Sequence, residues 1–139
     1  MSNLKGFLKP AYTEKFIEVE VSDKFLDDEG NPLKFKLKSI PLSLINSLQK
    51  RSIKTKKVNG KTIEDPDADE FLDRCLVESS VQPDFKDPEL CHAYGTEDPI
   101  AVISKMLSFG ERDKLGKAFM AVNDMSQEDF SSIGEITKN

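Results

Sequence analysis

Apolar and polar residues alternate in two short runs near the start of the chain. The first run is KFIEVEVSDKF, and the second is LKFKLKSI, in which Leu33, Phe35 and Leu37 alternate with lysines. A period of two is typical of strands that face a core on one side. The intervening LDDEGNPL contains glycine and proline, so the pattern predicts an antiparallel β-hairpin. An isolated hairpin is too small to be stable, so we expect burial of Phe16, Val19, Phe35 and Leu37.

After the hairpin, apolar residues recur at helical spacing. The first stripe predicts a helix that begins near Pro41 or Ser43 and packs on the hairpin. Further stripes predict helices up to Asn123. The stripes are Leu44, Ile45 and Leu48; Phe71, Leu72, Cys75 and Leu76; Ile100, Ile103, Met106 and Leu107; and Leu115, Phe119 and Val122.

Capping residues stand where these helices should begin. Asp87-Pro88-Glu89 and Asp98-Pro99 each place a capping side chain before a first-turn proline. The pairs Asp67-x-x-Glu70 and Ser108-x-x-Glu111 have the spacing of a capping box. Such closely spaced start signals indicate several short helices that form a scaffold.

The order of elements predicts a single α+β domain, in which an N-terminal antiparallel β-hairpin packs against about five short α-helices. We assign this domain to residues 15–124, with a basic loop at 50–64. Residues 1–14 are interpreted as a flexible lead-in and 125–139 as a frayed C-terminal tail. The apolar residues of that tail are Phe130, Ile133 and Ile136.

The charge of the chain is unevenly distributed. The net charge is −5, yet residues 50–61 contain six cations and no acid. Asn59-Gly60 within this segment predicts a tight turn, and hence a short hairpin or a mobile loop. Lys54, Lys56 and Lys57 either contact an acidic partner, another copy of the chain or nucleic acid, or they keep a solvated loop soluble. The acidic remainder of the chain disfavours a general nucleic-acid binder.

Residue types that carry chemistry are scarce. The chain has two cysteines, Cys75 and Cys91, without metal-type spacing, and one histidine, His92. We expect both cysteines to be buried, and we expect no catalytic residue, metal or cofactor. No apolar run approaches the length of a membrane span, and nothing resembles a signal peptide, so we expect a cytoplasmic protein with no membrane contact.

From about Phe16 to Asn123 the chain resembles the XkdN-like phage tail assembly chaperones, found in tail gene clusters of phages and PBSX-type prophages of Gram-positive bacteria. The resemblance includes the strands EVEVSDKF and KFKLKSI and the turn DDEGNP. Its most specific part is VQPDFKDPEL followed by AYG, DPIAVISKML and GE. The chain departs from the family in the insert KRSIKTKKVNGKT and in having Asn123-Asp124 where Asn-Gly often follows the last helix.

This resemblance implies a non-enzymatic assembly factor that binds the long tape-measure protein and keeps it soluble while tail-tube subunits polymerise around it. A longer form, produced by ribosomal frameshifting, would contact the tail tube protein, and self-association is a further implied interaction. The factor would act in the bacterial cytoplasm and be absent from the mature particle.

A chaperone for an apolar, helical partner needs exposed apolar surface. We expect most apolar residues in the stripes to be core, and we select Phe109, Phe119 and Met120 as candidates for exposure. Phe109 lies in a loop at a helix start, and Phe119 and Met120 cannot both face one core. The alternative function is a small nucleic-acid-associated regulator of a mobile element that acts through the Lys50–Lys61 segment. The two functions differ in salt dependence, which is steep for phosphate contacts.

Overall fold

The computed structural model describes residues 3–135 and contains both helices and antiparallel strands, which confirms the predicted α+β class. The helices of this range are α1 Leu4–Leu8, α2 Leu42–Arg51, α3 Ala68–Ser79, α4 Pro88–Ala93, α5 Pro99–Met106, α6 Phe109–Val122 and α7 Gln127–Glu135. The strands are β1 Phe16–Val19, β2 Phe35–Lys38, β3 Ile53–Val58, β4 Lys61–Pro66 and β5 Ser80–Gln82.

The predicted N-terminal hairpin is formed by β1 and β2. The two strands are antiparallel, with Glu18 opposite Lys36 and Val19 opposite Phe35. A third strand that the sequence did not predict, β5, pairs antiparallel with β2, so the order in the sheet is β1-β2-β5. With three residues, β5 is too short to show a periodicity of its own.

The inner face of this sheet carries the predicted apolar residues of β2. Phe35 and Leu37 are buried, as expected, and Val19 is half-buried. The expected burial of Phe16 is wrong: its side chain is 53% exposed, and the Lys36 Nζ lies 4.8 Å from its ring centroid. Successive side chains of a strand point to opposite faces. Phe16 is three positions before Val19, so the two side chains lie on opposite faces of β1.

Helix α3 lies at the centre of the helical layer and contacts α2, α5 and α6. Helix α6 in turn packs against β1 and β2, so it lies between α3 and the sheet. Gly116 of α6 faces α3, since a Cβ at this position would lie 3.4 Å from Leu72 Cδ2. The largest fully buried side chains come from these elements and from the α3–α4 connection: Phe71, Phe85, Phe119, Leu37, Leu48 and Leu76.

The predicted helix starts are confirmed by their hydrogen bonds. The Asp67, Asp87 and Asp98 carboxylates each accept a backbone N–H from the first turn of α3, α4 and α5. Ser108 and Glu111 form a complete capping box at the start of α6. Each cap satisfies N–H groups that a helix leaves without a backbone partner.

Helix α7 covers Gln127–Glu135, within the segment 125–139 for which the sequence predicts a frayed tail. Helix α7 packs through Phe130, which is 8% exposed, stacks on Phe71 at 5.0 Å between ring centroids, and meets the edge of Phe119 at 6.3 Å. Ser126 and Asp129 exchange hydrogen bonds in the manner of a capping box, a spacing readable in the sequence. The side chain of Ile133 and the whole of Ile136 lie outside the described residues.

The segment predicted as a basic loop at 50–64 is the end of α2 and a second hairpin, β3–β4. Its turn is Asn59-Gly60, with φ of 53° and 78°, as a two-residue hairpin turn requires. Apart from the residues at its base, both faces of the hairpin are exposed. Of the two predicted alternatives, hairpin and mobile loop, the structure has the hairpin.

Candidate partner-binding surface

Phe109 is the most exposed of the large apolar side chains in the described part of the chain, at 87% exposure. It is the first residue of α6 and lies between the two members of the capping box. The Glu111 N–H donates to Ser108 Oγ at 3.2 Å, and the Ser108 N–H donates to Glu111 Oε1 at 2.8 Å. The backbone that carries Phe109 is therefore held on both sides while its ring faces solvent.

Glu111 also ties this helix start to the β1–β2 hairpin. Lys24, in the connection between β1 and β2, places its Nζ 2.8 Å from Glu111 Oε1. This hydrogen bond, together with those from the Ser108 backbone and the Ser22 side chain, lowers the pKa of Glu111 to about 2. A carboxylate with this pKa is ionised throughout the neutral range.

A polar cleft adjoins Phe109. It has a volume of about 490 Å³ and lies between the end of the first strand and the start of α6. The residues that line it are Glu20, Val21, Ser22, Asp23, Ser108, Gly110, Glu111 and Lys114. The surface around Phe109 thus combines one protruding aromatic ring with a recess whose wall is mostly acidic and hydroxylic.

Phe119 and Met120 do not belong to this surface. Phe119 is fully buried and Met120 is 9% exposed, so the expectation that they are exposed is wrong. Helix α6 is covered on two sides, by α3 and by the sheet. Adjacent residues of one helix are both buried when the helix lies between two layers.

The basic residues of β3 lie beside acids rather than in an isolated positive patch. Lys54 Nζ is 3.5 Å from Asp67 Oδ2 and 3.6 Å from Glu70 Oε1, and Lys56 Nζ is 3.7 Å from Asp65 Oδ2. Lys57 lies opposite Thr62 on β4. The structure therefore places Lys54 and Lys56 beside Asp65 of β4 and beside Asp67 and Glu70 at the start of α3.

Sequence reasoning missed a second exposed apolar feature, the N-terminal arm, which we define as residues 4–12. None of the residues of α1 is buried, and Phe7 is 83% exposed. Leu4, Phe7 and Leu8 are spaced i, i+3, i+4, which was a readable sign of one apolar helical face. Beyond the arm, Lys15 exchanges hydrogen bonds with Ser39 and pairs with Asp124 at 2.7 Å.

Cys75 and Cys91 are both buried. Burial raises the pKa of the Cys75 thiol to about 12, which makes it a poor nucleophile, and the Cys91 thiol donates to the Phe85 carbonyl. No group of three histidine, cysteine or carboxylate side chains suited to a metal occurs among the described residues. Within residues 3–135, no helix has the length and apolar content to cross a membrane.

Asp73 joins α3 to α6 through an ion pair with Arg112. Burial raises its pKa, while the Arg112 guanidinium, with Nε at 2.8 Å from Asp73 Oδ1, opposes that shift. Arg112 also donates to the backbone carbonyl of Asp69. The pair therefore fastens α6 to α3 near the surface that carries Phe109.

Comparisons with known proteins agree with this architecture. The model of the phage XkdN-like tail assembly chaperone family matches residues 4–137. Protein YqbN of Bacillus subtilis (strain 168) is 37% identical over 96% of this chain and 92% of its own length. The phage-like element PBSX protein XkdN of the same strain is 35% identical over 88% of this chain and 84% of its own.

A solved structure extends the similarity to three dimensions. The crystal structure of YqbN superposes with a TM-score of 0.70 at 32% identity, and the match covers 86% of this chain and 95% of that one. The family match spans more than half of the chain, and both relatives exceed 30% identity over most of its length. This chain belongs to the XkdN-like family of phage tail assembly chaperones.

Proposed function

We propose that this chaperone binds the tape-measure protein of its tail and keeps it soluble while the tail tube assembles. Family membership supports a role among tail proteins. The observation that carries the finer proposal is Phe109, which is 87% exposed on a backbone fixed by a capping box. Exposed aromatic rings on rigid supports are favoured anchors in protein interfaces.

The fixed backbone matters because binding loses free energy when it must order a flexible segment. Here Ser108, Glu111 and Lys24 hold the start of α6 in one conformation before any partner arrives. Phe109 can then insert between apolar side chains of a helical partner with little further ordering. Phe119 and Met120 are buried on the inner side of α6, so they do not contact the partner directly in this proposal.

The acidic surface suits the same task. The chain carries a net charge of −5, and Glu20, Asp23 and Glu111 line the cleft beside Phe109. Like-charged complexes repel one another, so a partner coated by this protein would stay dispersed. The proposed action is binding alone, without covalent catalysis, in the cytoplasm of the bacterial host, and the protein leaves before the particle is complete.

The structure gives no support to the alternative nucleic-acid regulator. Within the Lys50–Lys61 segment, the contact surface of that alternative, Lys54 and Lys56 lie beside Asp65, Asp67 and Glu70. Phosphate groups would meet these carboxylates as well as the lysines, and the hairpin has no aromatic residue for base stacking. The lysines fit better as the solvated, charge-balanced side of β3.

Co-expression with the tape-measure protein tests the proposed function. We expect a soluble complex that co-purifies at low salt and at high salt, because apolar contacts are not screened. Phe109→Ser should reduce recovery of the complex by roughly tenfold or more if the ring is an anchor. Leu42→Ser is a matched control, since Leu42 is also an exposed first residue of a helix, at 67% exposure.

Three results would contradict the proposal in whole or in part. If the tape-measure protein stays insoluble and nothing co-purifies with it, the proposed binding is rejected. If the Phe109→Ser and Leu42→Ser variants form the complex equally well, the proposed binding stands but Phe109 is rejected as its anchor. A complex lost steeply with rising salt would point instead to charged groups such as Lys54 and Lys57.

A further inference from the structure

We propose that the N-terminal arm folds back over the sheet and docks into a cleft between β5 and α4 of its own chain. The cleft has a volume of about 520 Å³, within the range of ordinary binding pockets. Its lining combines apolar and acidic side chains, namely Val81, Pro83, Leu90, Asp84, Asp87 and Glu89. The structure shows the open conformation of the arm, and docking is the closed one. This contact is separate from the Phe109 surface and does not depend on the tape-measure protein.

The open arm has apolar side chains that the rest of the chain does not cover. Phe7 is 83%, Leu8 69% and Tyr12 63% exposed. Helix α1 has five residues and no side-chain hydrogen bond at its N-cap, and so short a helix has little stability without packing. Apolar positions spaced i, i+3, i+4 are how a helix engages a groove. Docking therefore supplies the packing that α1 lacks in the open conformation.

Charge selects this cleft as the place where the arm docks. Residues 4–12 contain two lysines, Lys5 and Lys9, and no acid, whereas the cleft lining contains three carboxylates and no cation. The neighbouring Lys86 is turned to α3, where its Nζ lies 2.8 Å from Glu78 Oε2. A basic, apolar segment and an acidic, apolar cleft are complementary in both respects.

The arm is long enough to reach the cleft of its own chain. Its base is fixed at Lys15, which is hydrogen-bonded to the end of β2. Across the sheet, Glu18 of β1 lies opposite Lys36 of β2, and Lys36 lies opposite Gln82 of β5, where the cleft begins. Two strand spacings and three residues along a strand separate Lys15 from that point, roughly 15 Å. Leu8 is seven residues before Lys15, and seven extended residues span about 23 Å.

The path of the arm runs over the outer face of the sheet, which is open. Phe16 and Glu18 are two positions apart in β1, so both side chains lie on this face, and both are exposed. Gln82, at the other edge, is exposed as well. An arm that crosses here covers Phe16 on its way to the cleft. Any partner of this face or of the cleft must then displace the arm, which makes the arm a strap that controls access to this side of the sheet.

A tryptophan placed in the arm tests this inference, because the chain has no tryptophan of its own. The full chain with Phe7→Trp should emit at a shorter wavelength, and be quenched less by acrylamide, than the full chain with Phe109→Trp. Phe109 is the matched control, since it is 87% exposed against 83% for Phe7 but lies on a backbone fixed by a capping box. The emission of Phe7→Trp should stay the same on dilution, because the contact lies within one chain.

A charge swap in the Phe7→Trp chain identifies the docking place. Asp84→Lys with Glu89→Lys reverses the charge of the cleft and should move the emission to that of the exposed control. Adding Lys5→Glu with Lys9→Glu should restore the shorter wavelength, and all four positions are exposed, so the fold is retained.

Four results would each overturn the inference. Phe7→Trp may not emit like Phe109→Trp, because the arm would then stay open. An emission that moves to longer wavelength on dilution would show that the arm is covered by another molecule. A charge-reversed cleft that leaves the emission unchanged would place the arm elsewhere on the chain, and a charge-reversed arm that fails to restore it would show that charge does not select the cleft.

Discussion

The two β-hairpins of this chaperone share antiparallel pairing, with strands of four residues in β1–β2 and six in β3–β4, yet the shorter strands contribute to the core and the longer ones lie at the surface. In β1–β2, Phe35 is 2% exposed and Leu37 fully buried. In β3–β4, Val58 is 43% and Ile63 39% exposed. Strand pairing and turn chemistry are enough to form a hairpin, but contact with a second layer decides whether it contributes to the core.

The reason lies in what covers each hairpin. Helix α6 packs on β1 and β2, and β5 extends the same sheet. The second hairpin is attached at its base, where the Asp67 N–H donates to the Ser52 carbonyl at 2.9 Å. Beyond that base, it is stabilised by its Asn59-Gly60 turn and by exposed ion pairs, which contribute little.

Truncation of Leu37 is the strongest test of this difference. Leu37→Ala should lower the free energy of unfolding by about 2–5 kcal/mol, because a fully buried leucine leaves a cavity when it is shortened. Urea denaturation followed by circular dichroism measures the loss. Phe16→Ala is the matched control on the opposite face of the same hairpin and should cost much less; equal losses would contradict the assigned faces.

Removal of the Asn123 side chain should cause the next largest loss in the free energy of unfolding. Its Oδ1 accepts the Ile40 N–H at 3.0 Å, and its Nδ2 donates to the Phe119 carbonyl at 2.9 Å, which joins the end of β2 to α6. Asn123→Ala should cost about 1–3 kcal/mol, since the N–H is left without an acceptor. Thermal unfolding measures this loss. An unchanged midpoint would show that the hydrogen bonds of Asn123 do not stabilise the contact between the sheet and α6.

The ion pair between Lys24 and Glu111 should make a smaller, pH-dependent contribution to the free energy of unfolding. The pKa of Glu111 is lowered to about 2 in the folded chain, so its contribution is present above the ordinary carboxyl pKa and is lost as pH falls towards about 2. Lys24→Met should raise the pKa of Glu111 towards its ordinary value. A carboxyl NMR titration measures this, and an unchanged pKa in the variant would assign the shift to the Ser108 and Ser22 hydrogen bonds alone.

The smallest effect is expected on the exposed hairpin. Ile63→Ala should change the free energy of unfolding by no more than about 0.5 kcal/mol, as is usual for exposed positions. The urea midpoint, measured beside that of Leu37→Ala, gives the contrast directly. A loss comparable to that of Leu37→Ala would mean that the second hairpin is covered, by another copy or by a layer of its own chain.

The sequence predicts local features of this fold well because local rules produce them. The β1–β2 alternation, the Asp87, Asp98 and Ser108 caps and the Asn59-Gly60 turn all depend on residues a few positions apart. The order of these elements was enough for the α+β class. The exposure of Phe109 was likewise predicted, from its place in the loop before Glu111.

What the sequence did not predict depends on contacts between distant segments. Met120 is buried because a sheet lies on the far side of α6, which the stripe of α6 does not reveal. Phe130 forms a helix with its neighbours because Phe71 and Phe119 receive its ring. The lysine run has no acid in residues 50–61, but the turn brings Asp65 opposite Lys54.

The tip of the second hairpin has a practical consequence. Gly60 has open space around its Cα, and no buried residue lies between Lys54 and Asp65. Loop tips that carry no core contacts tolerate insertions and cleavage. A short epitope or a fluorophore-labelling tag inserted at this tip would replace the Asn59-Gly60 turn but leave the core unchanged, and would therefore report on this chaperone inside an assembling tail.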